Sequence, residues 1–114
     1  MADRFGTDAE TAYMNVVSGA LLASVKVALR VSASAYDDEI TDLIQAAMDD
    51  MKLSGVAAVH FTLDEPDPII KRALVTYAKA NFGLDNPDSE KFQRAYDSLK
   101  THLCLSQEYQ ETPA

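Results

Sequence analysis

Residues 35–53 read AYDDEITDLIQAAMDDMKL, and their apolar positions Ile40, Leu43, Ile44, Ala47, Met48 and Met51 recur at steps of three and four. That period puts them on one stripe of an α-helix, with Asp42, Gln45, Asp49 and Lys52 on the other face. Asp37, Asp38 and Glu39 fall in the first turn, where carboxylates meet the positive end of the helix dipole. Gly55 follows the last apolar position and supplies a stop. The spacing predicts an amphipathic helix over 35–53 whose apolar stripe must find partners.

The partners lie on both sides. Upstream, 20–30 carries Leu21, Leu22, Val25, Ala28 and Leu29 on an inward face, with Lys26 and Arg30 outward. Further upstream, Ala9, Ala12, Tyr13, Val16 and Val17 form a stripe behind a Thr7/Glu10 pair spaced as a capping box, and Ser18-Gly19 reads as the stop of that helix over 8–17. Downstream, the run from Val56 to Leu63 has no helical period and reads as a connector holding at most a short extended piece. Asp67-Pro68 places an N-cap residue before Pro at the first helical position, and Gly83 closes a helix bearing Ile69, Ile70, Ala73, Leu74, Tyr77, Ala78 and Phe82. Asn86-Pro87 repeats that start for a helix to about Leu103, with Phe92, Ala95, Tyr96 and Leu99 on its face and Glu90/Arg94 spaced as an i,i+4 pair.

No Asn-Gly or Asp-Gly hairpin signal and no sustained alternation interrupts this pattern. The expected fold is therefore all-α, a small bundle of four to five short helices with a mobile C-terminal tail. It divides into an N-terminal segment over 1–19 that is possibly helical, a helical domain over 20–105 and a flexible tail over 106–114.

The chain has 114 residues, 47% of them hydrophobic, which suits one domain that buries roughly two thirds of its unfolded surface without staples. Cys104 is the single cysteine, so no disulfide framework or cysteine-based zinc cluster can be built. Ten Lys and Arg against 18 Asp and Glu give a net charge of −8, which argues against non-specific binding to nucleic acid or to an anionic membrane. The longest apolar run is too short to cross a bilayer, and 1–7 lacks the apolar core of a secretory signal, so none is expected.

Candidate chemistry is sparse. His102 and Cys104 lie two apart, about 200° from each other on a helix, so they cannot share a ligand set there, and His60 adds only one further donor. Asp37-Asp38-Glu39 reads as a helix N-terminal turn and Asp49-Asp50 as part of a solvated face, with no Gly-rich phosphate loop beside either. No nucleophile-elbow sequence or glycine-lined oxyanion segment occurs. The expectation is no enzyme activity, no metal and no cofactor. Phe82, Phe92, Tyr96, Met48 and Met51 read as core by their spacing, whereas Leu103, Leu105 and Tyr109 continue the apolar pattern past the end of the last helix. Such residues either fold back onto their own domain or dock on a partner.

Two stretches resemble a known family. Val25-Lys26-Val27-Ala28-Leu29-Arg30-Val31, followed by Asp37-Asp38-Glu39-Ile40-Thr41-Asp42-Leu43-Ile44, is similar to a family pattern of a VKxxLR[IV] helix, an acidic turn and DxLI. Tyr77-Ala78-Lys79-Ala80-Asn81-Phe82-Gly83, Asp85-Asn86-Pro87, Phe92, Tyr96-Asp97-Ser98-Leu99 and Leu105-Ser106-Gln107-Glu108-Tyr109 carry the more specific part. The family is that of the small head-tail connector proteins of long-tailed bacteriophages, also called adaptor or head-completion proteins. The likeness spans about 20–110; residues 1–19 do not align, and no Ser or Thr stands directly before Leu21-Leu22, where the family often caps its first helix.

The resemblance implies a structural virion protein, not an enzyme, that forms a homo-oligomeric ring of about twelve subunits, a dodecamer, at the portal vertex. Its partners would be itself, the portal protein and a stopper or tail-completion protein, with DNA passing through the lumen without sequence-specific binding and no membrane involved. Its place would be the neck of the virion, after assembly in the bacterial cytoplasm. The family's C-terminal segment tends to engage the portal and neighbouring subunits, which maps onto Leu103, Leu105, Gln107, Glu108 and Tyr109. An acidic chain would help such a lumen repel DNA, unless Lys71, Arg72 and Arg94 line it. The competing reading is a small acidic helical module that binds one protein, as an inhibitor or nucleic-acid mimic, and acts as a monomer or dimer.

Overall fold

A computed structural model of the chain describes residues 17–61 and 66–110. The helix expected over 8–17 lies outside the described residues except for Val17. Ser18, expected to stop it, instead begins the next one: its Oγ accepts the Leu21 amide at 3.0 Å, and helix α1 runs Gly19–Leu29. Capping from three residues before Leu21 removes the need for a Ser or Thr adjacent to it.

α1 closes in a Schellman arrangement. The Val31 amide donates to the Lys26 carbonyl at 3.0 Å and the Arg30 amide to the Val27 carbonyl at 3.1 Å, with Arg30 in the left-handed conformation at φ 62°. Lys26, expected to point outward, folds over the loop instead and pairs with the Asp37 carboxylate, its side chain only 15% exposed. A short 3-10 turn, Ser34–Tyr36, carries the chain into α2, Asp37–Leu53, so the long helix starts two residues later than its periodicity suggests. α2 ends in the same arrangement as α1, but here glycine takes the left-handed position. Gly55 has φ 116°, and the Val56 amide reaches the Met51 carbonyl at 3.0 Å. That turn buries Val56, and the 3-10 turn Ala58–Phe61 then buries Phe61. The extended piece expected in this connector is one isolated bridge between Val56 and Gln110.

α3, Pro68–Asn81, is the central helix and packs on the other three. α4, Ser89–Leu105, starts at Ser89 rather than at Asn86-Pro87 because Asn86 is otherwise engaged. Its Nδ2 donates to the Lys79 carbonyl at 2.6 Å and its Oδ1 accepts the Asp88 amide at 3.2 Å, tying the loop to the end of α3. The Ser89 hydroxyl donates to the Ala80 carbonyl beside it. α4 therefore runs antiparallel to α3.

The core is continuous through all four helices. Leu21 and Val25 of α1, Ile40, Ile44, Ala47, Met48 and Met51 of α2, Ile70, Ala73, Leu74 and Ala78 of α3, and Tyr96 and Leu103 of α4 are buried together with Val56 and Phe61. Each large aliphatic member contributes about 1.5–3 kcal/mol on full burial. Leu43, Phe92 and Leu99 sit half-buried at the edges of their stripes, and Ile69 and Ala95 are exposed. Among the described residues no helix is long and apolar enough to cross a membrane.

Candidate interface site

The antiparallel run of α4 brings the chain after Leu105 to the end of the bundle where α2 finishes and α3 begins. Ser106 breaks the helix in extended conformation, and a turn follows in which the Tyr109 and Gln110 amides donate to the Ser106 carbonyl at 3.1 and 3.0 Å. The Ala57 amide donates to the Tyr109 carbonyl at 2.8 Å, and the Gln110 Nε2 donates to the Cys104 carbonyl at 3.0 Å. Residues 106–110, read from sequence as the start of a flexible tail, are thus folded back on the domain. Residues 111–114 lie outside the described ones.

Tyr109 is the anchor. Its ring lies 4.7 Å from the His60 ring, and its hydroxyl donates to Asp67 Oδ2 at 3.0 Å. Burial, and then the carboxylate of Asp67, raise the Tyr109 hydroxyl above its ordinary pKa, so it stays a donor at neutral pH. Asp67 holds the N-cap position of α3 as expected, but its side chain makes no capping bond. The carboxylate turns to the tyrosine, a partner 42 positions away in sequence, which no local pattern can show.

The five candidate interface residues separate into two sets on this scaffold. Leu103 is buried and Tyr109 half-buried, so these two fold back onto their own domain. Leu105, Gln107 and Glu108 are exposed, and Leu105 keeps 72% of its surface in water. Leu53 and Val59, at the same end of the bundle, are exposed as well. The arrangement is a rigidly held edge that presents a few apolar side chains within a polar surround. Exposed apolar side chains of this kind are what a protein partner covers.

The groups that sequence placed as candidates for chemistry are apart. His102 is exposed, and no cluster of three or more His, Cys, Asp or Glu forms among the described residues. Cys104 is half-buried, and burial pushes its thiol up, with Lys100 pulling the other way, which leaves it a poor nucleophile. Asp50, expected on the solvated face, instead joins a polar cluster between α2 and α4. The Tyr96 hydroxyl donates to Asp50 Oδ2 at 2.8 Å and Lys100 Nζ lies 2.9 Å from the same oxygen. Burial raises the Asp50 carboxyl, but Lys100 and Tyr96 outweigh it and hold it below the ordinary carboxylate value. Burial and Asp50 drive the Tyr96 hydroxyl upward in turn. This is a strut between α2 and α4, in which one carboxylate takes both the tyrosine hydroxyl and the lysine ammonium.

A small helical bundle closed by a docked C-terminal turn is a shape that many small domains share, so comparison with known proteins decides the class. The family described as phage connector protein matches residues 21–110. The chain belongs to that phage connector family. The match runs from the first buried leucine of α1 through the docked Tyr109 and Gln110, so it covers the helical core and the candidate edge together. No curated protein and no solved structure matches the chain. As a phage connector protein it is a structural component of a virion, and its family is one of assembly parts, not enzymes.

Proposed function

We propose that this connector protein forms a ring at the portal vertex, joins the DNA-filled head to the tail and extends the DNA channel. The observation that carries this reading is the family match over 21–110, which takes in the described helices from Leu21 onward. Its partners are other copies of itself, most simply as a dodecamer, the portal protein on one side and a stopper or tail-completion protein on the other. It works in the neck of the virion and assembles there from the bacterial cytoplasm. DNA passes through the lumen without sequence-specific contacts, in keeping with the net charge of −8.

Leu105, Gln107 and Glu108 are the proposed contacts with the portal or a neighbouring subunit, and Leu103 and Tyr109 hold them in place. The hydrogen bonds that tie that edge to the domain support the assignment, because a prepositioned segment loses less entropy on docking than a free tail. Native mass determination and negative-stain electron microscopy on the purified protein, alone and with portal-bearing tail-less heads, test the ring. Rings of about twelve subunits, free or on the portal, are the expected result. A strict monomer that ignores the portal would overturn it.

A further inference from the structure

Large apolar side chains are exposed at both ends of the bundle. Leu53 and Leu105 stand where α2 and α4 finish, and Tyr36 and Leu84 where α2 starts and α3 has finished. The second pair borders an open groove of about 640 Å³ lined by Val31, Tyr36, Glu39, Phe82, Gly83 and Leu84. Every one of these residues lies within the described chain.

Val31 and Phe82 are half-buried against the core and form the floor. The Tyr36 ring meets Phe82 edge-on, with 5.6 Å between centres and 82° between planes, and keeps 46% of its surface in water. Gly83 turns the chain out of α3 in the left-handed conformation, at φ 87°. Leu84 after it is fully exposed, on a loop that Asn86 ties back to the Lys79 carbonyl at 2.6 Å. An aromatic and an aliphatic wall over an apolar floor make a seat for one apolar side chain of a partner.

Charge narrows the choice of partner. Glu39 is the one charged residue in the lining; it is exposed and makes no ion pair among the described residues. Next to lining residues in sequence, Asp38 and Asp85 are exposed carboxylates without an ion pair, against Arg30 as the single cation. Asp37, the remaining carboxylate there, already pairs with Lys26. A second copy of a chain with net charge −8 is a poor match for this mouth. A segment with a lysine or arginine beside its apolar anchor gains from it.

We infer that this groove docks the protein on the tail side of the ring. The docking segment sets an aliphatic or aromatic side chain between Tyr36 and Leu84 and a lysine or arginine against Glu39. The inference rests on the ring reading above, which gives the Leu105 edge to the portal and leaves the opposite end of each subunit for the next protein along the channel.

Two chains test it, Leu84→Ser and Glu39→Lys, each checked for helicity and cooperative unfolding. The probe is an extract of cells infected with the same phage lacking this gene, which supplies heads and all tail-side parts. Connector sedimenting with the heads and the fraction of heads bearing tails in negative stain are measured separately. Each variant should load onto heads at the wild-type concentration, while the tailed fraction falls at least about fivefold. If either folded variant joins tails like the wild type, the groove is not the tail contact. If either one fails already at self-assembly or at loading onto heads, a second copy or the portal covers the groove, and the inference is overturned with the ring reading intact. If the wild type itself neither assembles nor loads, the ring reading falls and the inference with it.

Discussion

Arg30 holds φ 62° at the end of α1, where a Cβ crowds the following carbonyl, whereas the equivalent position after α2 is Gly55. Replacing Arg30 with glycine removes that crowding and adds back some backbone entropy to the unfolded chain, so Arg30→Gly should raise stability by about 0.5–1 kcal/mol. The check is a higher urea midpoint at unchanged slope. A lower midpoint would show that the arginine side chain contributes more than its backbone costs. Asp50 makes the second residue-scale prediction. Its carboxyl titrates lower in the folded protein than in the unfolded chain, so its stabilisation is present above the ordinary carboxylate range and is lost as pH falls through that range toward the folded value. Below about pH 4 the wild type should therefore lose stability, and Asp50→Asn should show a flatter acid limb in urea midpoints measured across that range. Tyr96→Phe removes the 2.8 Å bond to the same carboxylate and should cost about 1 kcal/mol. Neither partner could be paired from sequence, since Asp50 and Tyr96 stand 46 positions apart and each looks locally like half of a helical stripe.

At the scale of elements, periodicity is sufficient for the four described helices and insufficient for their ends. The stripe from Ile40 to Met51 is buried as its spacing requires, and Asp67-Pro68 starts α3 where it should. Asn86-Pro87 misleads because the asparagine is tied back to Lys79 while its Oδ1 reaches only the Asp88 amide, so the helix waits until Ser89, and Ser18 misleads because the glycine after it reads as a stop while its hydroxyl caps the helix that follows. The docked C-terminal turn is the larger gap. It reads as polar tail because, apart from the Gln110 bond to the Cys104 carbonyl, its hold is one bridge, one ring contact and one hydroxyl-carboxylate bond to residues more than 40 positions away. Ending the chain after Leu105 should therefore destabilise the bundle by about 1–3 kcal/mol, from two or three lost hydrogen bonds with net worths near 1 kcal/mol each. Amide exchange at Ala57, which donates to Tyr109 at 2.8 Å, should speed up well beyond that of the α3 amides. Unchanged protection at Ala57 would mean that the C-terminal turn contributes no structure at that end.

For the whole molecule, the contrast that matters is between apolar side chains the core uses and those it leaves outside. Leu103 and Leu105 are two residues apart on the last turn of α4, and one is fully buried while the other keeps 72% of its surface. A domain that only had to fold would gain nothing from the second, and Leu53 and Leu84 are exposed in the same manner at opposite ends of the bundle. Leu103→Ala should cost about 2–5 kcal/mol by opening a cavity in the core, and any loss of assembly in that chain follows from the fold. Leu105→Ser should shift stability by no more than about 0.5 kcal/mol, because almost no contact is removed. If the edge formed by Leu105, Gln107 and Glu108 engages the portal, the same Leu105→Ser chain should bind portal-bearing heads more weakly, by about 1–2 kcal/mol or five- to thirtyfold in apparent affinity, while its thermal unfolding matches the wild type. The two measurements separate folding from docking. A folded Leu105→Ser chain that saturates the heads at the wild-type concentration would move the portal contact away from the C-terminal edge, and the exposed Tyr36 and Leu84, beside the half-buried Phe82 at the opposite end, would then be the surface to substitute next.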